Sequence, residues 1–160
     1  MSKRKETKKG EHLEIERKFL LRRVPPVKIM DKILHIDQCY TNSGRFRAVR
    51  TGTKFDYIMQ KKRQLRPGVY AESAEKKISW NKYASAWKNK KKMLSKIRYM
   101  KKDKNGLVWE IDEFVGMNLV IAEVELSREN FKLKLPPFIK KELIMEVTKY
   151  GQFRSSQIAE

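Results

Sequence analysis

From Glu11 the chain alternates. Leu13, Ile15 and Arg17 are interleaved with Glu14, Glu16 and Lys18, a period of two that predicts a strand with two unlike faces. Pro25-Pro26 ends it, and a short helix is predicted over 27–34. Residues 36–41 read as a strand and Asn42-Ser43-Gly44 as a turn, followed by a hairpin of 45–50 and 54–62 across Thr51-Gly52-Thr53. Pro67-Gly68 then introduces a strand over 69–79. Tyr83, Ala84, Trp87 and Leu94 fall near helical spacing and predict a helix over 81–94. Strands resume over 95–101 and 107–114, joined by the turn Asp103-Lys104-Asn105-Gly106. Residues 120–127 alternate again; a short helix, Pro136-Pro137 and an extended segment over 143–150 follow. Seven or eight strands with few helices predict a mainly β (α+β) domain: an eight-stranded antiparallel closed barrel, with a few short helices packed outside.

Acidic residues recur at i and i+2 in Glu14/Glu16, Glu110/Asp112 and Glu123/Glu125. Within a strand each such pair shares one face, and here the opposite face is apolar. Basic pairs repeat the spacing: Arg45/Arg47 and Lys96/Arg98, with Lys18 continuing the Glu14/Glu16 row and Lys62 continuing that of Ile58 and Gln60. Alternating charge on a strand is ordinarily a solvated sheet face. Three acidic and two basic pairs on one spacing argue instead for a barrel with a charged interior. Carboxylates suit hard divalent cations such as Mg2+ or Mn2+, and lysines and arginines suit phosphate oxygens.

Composition sharpens the partner class. The chain has 160 residues, 40% of them hydrophobic, and its 38 basic against 19 acidic residues give a net charge of +19. An anionic ligand is expected. No apolar run approaches the roughly 18 residues of a membrane span, and the opening MSKRKETKKG lacks the apolar stretch of a secretory signal. A lone Cys39 makes no intrachain disulfide, and His12 and His35 supply no zinc cluster. A cytoplasmic setting without membrane contact is expected. Residues 1–10 read as a disordered basic tail and 11–160 as one domain. Residues 82–104 hold ten basic residues and one acidic. Together with the tail they form a candidate contact for RNA or polyphosphate, set against the simpler reading of a solvated helix end.

The motifs in order resemble those of the CYTH superfamily, the triphosphate tunnel metalloenzymes. Glu14-Ile15-Glu16-Arg17-Lys18 resembles its ExExK signature, Gln38-Cys39-Tyr40 its Q-x-Y, and Arg45-Phe46-Arg47 its R-x-R. Residues 57–62 resemble the strand that ends in a phosphate-binding lysine. Lys96-Ile97-Arg98-Tyr99 resembles K-x-R-Y, and residues 109–114 the E-x-D-x-F strand. Ala122-Glu123-Val124-Glu125 and Glu146-Val147-Thr148 resemble A-E-V-E and E-V-T. The resemblance covers about residues 12–159. It implies an eight-stranded tunnel binding a triphosphate with Mg2+ or Mn2+. Glu14, Glu16, Asp112, Glu123 and Glu125 would hold metal, with Glu110 an additional candidate. Lys18, Arg45, Arg47, Lys62, Lys96 and Arg98 would grip phosphates, and Lys18 with Tyr40 would assist catalysis.

There are departures. Phe153 and Ser155 replace a tyrosine and an asparagine found after E-V-T in many bacterial members, and Arg154 is displaced. In the strand after Pro67-Gly68, which usually carries E-x-E, Ser73 takes the first glutamate's place and Glu75 the second, leaving Glu72 out of phase. Arg50 is an extra arginine. The function implied is metal-dependent hydrolysis of tripolyphosphate or of an organic triphosphate such as a nucleoside triphosphate, by a monomer or homodimer. The alternatives are an RNA 5′-triphosphatase, a class IV adenylyl cyclase and a non-catalytic binder of polyphosphate or nucleic acid.

Overall fold

The computed structural model describes residues 6–160. Its strands are β1 (Glu11–Leu21), β2 (Lys32–Thr41), β3 (Gly44–Thr51), β4 (Lys54–Gln60), β5 (Lys62–Arg66), β6 (Val69–Ser73), β7 (Lys76–Lys77), β8 (Lys92–Lys102), β9 (Val108–Phe114), β10 (Val120–Leu126) and β11 (Leu143–Glu146). Three short helices accompany them: α1 (Trp80–Lys88), α2 (Pro137–Lys140) and α3 (Ser155–Ile158). Residues 1–5 of the expected tail lie outside the described residues. Beyond them, the Glu6 carboxylate pairs with Arg66 at 2.8 Å and its carbonyl accepts from Arg63 at 3.0 Å.

All pairings are antiparallel and run in the order β5-β6-β1-β10-β9-β8-β2-β3-β4-β7, with β11 added on β1. This corrects the expected closed eight-stranded barrel. The sheet is a strongly curled half-barrel of ten strands, and its end strands, β5 and β7, do not pair with each other. The cause is two interruptions. Lys61 splits one expected strand into β4 and β5, and Ala74-Glu75 splits the next into β6 and β7. Each half then pairs locally, β4 with β7 and β5 with β6.

Other boundaries also differ from expectation. Residues 27–34 form a single 3-10 turn, Val27–Ile29, because β2 begins at Lys32 and pairs with β8. The helix predicted over 81–94 ends at Lys88, where Asn89 caps it; Leu94 belongs to β8. The last strand stops at Glu146.

The convex face of the sheet carries the apolar residues. Phe19, Leu21, Trp109, Ile111, Ala122 and Val124 bury against Phe131, Leu133, Leu135, Phe138 and Ile139 of the chain that crosses outside them. Cys39, Phe46 and Ala48 bury against Tyr83 and Ala86 of α1. Asp103 locks the β8–β9 turn: its carboxylate accepts from the backbone of Asn105 and Leu107 and from the Trp109 indole at 2.9 Å. With both apolar patches covered from outside, the charged positions are left on the concave face.

The turn at Pro67-Gly68 holds β1 in register at Glu16, whose N–H donates to the Gly68 carbonyl at 2.9 Å. Gly68 has φ +77°, and a Cβ there would lie 2.8 Å from the Glu16 carbonyl oxygen and 2.9 Å from Thr148 Cγ2. A Gly68→Ala substitution is expected to cost about 1–2 kcal/mol for the left-handed backbone alone, plus the clash. Chemical denaturation should show a midpoint lowered accordingly; an unchanged midpoint would contradict this reading of the turn.

Candidate active site

β1 projects Glu14, Glu16 and Lys18 onto the concave face. Register then fixes their neighbours: Glu125 lies opposite Glu16 and Glu123 opposite Lys18 on β10, and Glu110 of β9 lies opposite Glu123. On the far side Arg98 of β8 faces Asp112, Tyr40 of β2 faces Arg45, and Gln60 of β4 faces Arg45. The i, i+2 pairs therefore share the concave face, where all of their members except Arg47 and Asp112 line one or both of two chambers.

The first chamber is acidic. Glu14, Glu16, Glu110, Glu123 and Glu125 line a cavity of about 360 Å3 with Gly106, Leu107, Val108, Leu126 and Ser127. Burial, with the neighbouring carboxylate Glu72, pushes the Glu14 pKa up; burial, with Glu123, does the same to Glu16. Burial raises Glu110; Glu125 stays exposed to solvent, and partial desolvation with the neighbouring Glu14 raises it. Negative charge here is under-compensated.

The second chamber is basic. Lys18, Arg45, Lys62, Lys96, Arg98 and Arg154 line a cavity of about 410 Å3, with Tyr40, Tyr70, Ser155 and the β2–β3 turn. Glu123 borders both chambers. Lys18 Nζ sits 3.3 Å from both Glu16 and Glu123. Burial works against its charge, but these two carboxylates outweigh it and hold the ammonium well above the ordinary lysine pKa. Lys62 Nζ reaches Glu14 at 3.0 Å, Glu72 at 3.3 Å and Glu16 at 3.5 Å, and is likewise held protonated against burial. Glu123 is drawn down to about 2 because Lys18 overcomes the cost of burial.

The expected Lys18–Tyr40 pair does not form among the described residues. Both line the basic chamber, but the Tyr40 hydroxyl accepts from Gln38 Nε2, and Lys18 lies 5.9 Å from the centre of the Tyr70 ring. Arg47 is buried behind the chamber and donates to Glu75 at 2.7 Å; burial and then Arg45 lower its pKa to about 10. Asp112 does not line the acidic chamber: Arg98 and Lys96 occupy its carboxylate.

Several residues were missed or misplaced by sequence reasoning. Glu72 is in phase with the concave face and buried, whereas Ser73 turns away and its hydroxyl accepts from the Lys61 backbone. Tyr70 also faces inward, its ring 4.1 Å from Lys62 Nζ. The alternation of Tyr70 and Glu72 with Val69 and Ala71 carried that phase. Arg154 and Ser155 reach the basic chamber despite the altered motif, while Phe153, Ile158 and Ala159 pack with Leu94, Phe114 and Ile121 as an apolar plug. Arg50 lies outside the site and donates to the Gly52 carbonyl. The basic 82–104 segment is not one surface. Lys96 and Arg98 are interior, Lys92 lies by Tyr40 and Ser156, and Lys101, Lys102 and Lys104 line a separate cavity at the far end of β8.

Among the described residues, no three carboxylate, histidine or cysteine side chains already stand as a metal-ligating cluster. The acidic chamber nevertheless offers suitable donors. All are hard carboxylate oxygens, and buried Glu16 Oε1 accepts no hydrogen bond, having only the Lys18 ammonium 3.3 Å away. A divalent cation would supply the compensation this chamber lacks.

Comparison with known proteins bears on the fold. No family model matches the chain. An inorganic triphosphatase of Acetivibrio thermocellus is 47% identical over 55 residues; that stretch covers 33% of this chain, and only about a third (35%) of the relative's length. The crystal structure of the inorganic triphosphatase NE1496 superimposes with a TM-score of 0.59 at 26% identity, covering 91% of this chain and 93% of that one. The PH1819 protein of Pyrococcus horikoshii OT3 shares the fold with a TM-score of 0.57 at 17% identity, over 73% of this chain and 80% of its own.

Glu125 gives a direct test of charge strain. Its pKa is raised in the folded state, so its charged form destabilises the fold, and this penalty grows as pH rises through the carboxylate range. In chelator at pH 7–8, Glu125→Gln should therefore raise the melting temperature. The same variant should show a smaller thermal shift on adding Mn2+ than the parent. A lower melting temperature in chelator would contradict the picture of an under-compensated chamber.

Proposed function

We propose that this chain, which has the CYTH triphosphate-tunnel fold, is a divalent-metal-dependent triphosphate hydrolase, with tripolyphosphate the first candidate substrate and nucleoside triphosphates the second. The observation that carries the reading is the division of one concave face into an acidic chamber and a basic chamber sharing Glu123. A triphosphate carries about four negative charges, and its hydrolysis asks a protein mainly for positioning and charge neutralisation. The two inorganic triphosphatases to which the chain is similar place tripolyphosphate ahead of nucleotides.

In this reading Lys18, Arg45, Lys62, Lys96 and Arg98 bind the phosphate oxygens, joined by Arg154. Arg47 acts from behind, next to Arg45. Glu14, Glu16, Glu123 and Glu125, with Glu110, would hold Mg2+ or Mn2+, which would neutralise phosphate charge and polarise a water. Lys18 is held protonated, so it serves as a fixed cation and hydrogen-bond donor between the chambers and not as a base. The Tyr40 phenol is held neutral by burial, which outweighs Arg45 and the Gln38 hydrogen bond, and so it too can donate toward substrate. Tyr70 steadies the Lys62 ammonium with its ring face. The apolar plug would limit water at one end of the site, where low dielectric would strengthen the charge interactions.

Phosphate release should be followed from tripolyphosphate and ATP at about pH 8, with Mg2+, Mn2+ or chelator. Release should require the metal. Glu16→Gln should lower kcat by about 10²–10³-fold, and Lys62→Ala should act more weakly and mainly on KM. Full metal-dependent activity in Glu16→Gln, or release unaffected by chelator, would refute the assignment.

A further inference from the structure

Asp112 stands apart from the other carboxylates of the concave face. Its side chain is 1% exposed, and it lines neither chamber. Arg98 meets it fork to fork, Nε to Oδ1 at 2.7 Å and Nη2 to Oδ2 at 2.8 Å. Lys96 Nζ adds a third contact to Oδ2 at 2.8 Å. The remaining nitrogen of the fork, Arg98 Nη1, pairs with Glu110, which does line the acidic chamber. Arg98 is thus clamped from both sides, and both Asp112 oxygens are spent on cations of the basic chamber. For Asp112 to bind a metal ion, it would have to release a buried guanidinium and a buried ammonium together. The other carboxylates near these two cations are already engaged: Glu110 is paired with Arg98 and Glu123 with Lys18.

We propose that Asp112 is a positioning residue that holds Lys96 and Arg98 as a preformed phosphate clamp, and that it is not a metal ligand. The inference rests on the triphosphatase reading for the identity of the anion, while its geometry stands independently. After pairing with Asp112 and Glu110, the Arg98 guanidinium keeps one N–H on each terminal nitrogen, and Lys96 keeps two, one of which is donated to Ser155 Oγ with Nζ at 3.4 Å. These are the donors a phosphate would take. Bidentate recognition needs the guanidinium plane fixed, which is what a fork-to-fork carboxylate provides. Loss of Asp112 would add one net positive charge, which favours an anion. The lost orientation outweighs that gain, because unpositioned cations form the paired contacts at an added entropic cost.

The experiment compares Asp112→Asn with Glu125→Gln and the parent. Mn2+ affinity is read by electron paramagnetic resonance without substrate, and hydrolysis of tripolyphosphate is read separately. For Asp112→Asn, Mn2+ affinity should stay within about twofold while KM for tripolyphosphate rises about tenfold, the equivalent of one charge-assisted hydrogen bond. Glu125→Gln should weaken Mn2+ binding. A second variant, Lys96→Gln, covers the case in which Asp112→Asn does not fold. It removes the ammonium from Asp112 Oδ2 while Glu110 stays paired with Arg98, and Mn2+ affinity should again be unchanged. Weakened Mn2+ binding in Asp112→Asn, comparable to that in Glu125→Gln, would overturn the proposal, as would tightened Mn2+ binding in Lys96→Gln. If the parent protein hydrolyses no triphosphate, the hydrolase reading fails; the Mn2+ measurements still decide whether Asp112 is a ligand.

Discussion

Everything in this molecule depends on placing many ionised side chains inside a small curled sheet and still folding. Charges taken from water are costly unless they are paired. The interior meets that constraint by internal compensation. Lys18 is shared by Glu16 and Glu123, Lys62 by Glu14, Glu16 and Glu72, and Asp112 by Lys96 and Arg98. Seven interior cations, Arg47 and Arg154 included, face seven carboxylates, so the net charge of +19 does not come from the site. The net charge therefore says little about the interior, whose balance is local.

The compensation is incomplete in a directed way. At one end carboxylates are crowded and their pKa values are pushed up; at the other, basic groups gather where Arg45 Nε is buried without a partner. Each end lacks what the other would need to supply. On the proposed reading, a cation on the acidic side and a polyanion on the basic side would complete both, and Glu123, which borders the two chambers, would couple them. The same residual strain that would recognise the ligands limits stability in their absence, a trade common at functional sites.

Much of this was legible from alternation. Glu14/Glu16/Lys18, Arg45/Arg47, Lys96/Arg98 and Glu123/Glu125 all fell on the concave face because period two fixes facing once the apolar partner face is known. What failed needed tertiary information. Glu72 is the exception: the alternation of Tyr70 and Glu72 with Val69 and Ala71 carried its phase, but fitting the E-x-E pattern to Ser73 and Glu75 imposed the opposite one. Leu94 was drawn into a helix by its seven-residue spacing from Trp87, whereas pairing with β2 claims it for β8. The closed barrel was lost to breaks at Lys61 and Ala74-Glu75, neither of which carries a Gly or Pro to mark it. The pairing of Asp112 with Arg98 was out of reach of the alternation, because Arg98 lies 14 residues away and meets it only through the β8–β9 register.

The most direct test of the account is a crystal grown with Mn2+ and tripolyphosphate, measured at the manganese absorption edge. The account predicts an anomalous peak within the chamber formed by Glu14, Glu16, Glu110, Glu123 and Glu125, with the phosphate chain running from it past Lys18 toward Lys62 and Arg45. Manganese bound outside that chamber, or tripolyphosphate found only on the outer lysine-rich surface, would contradict it.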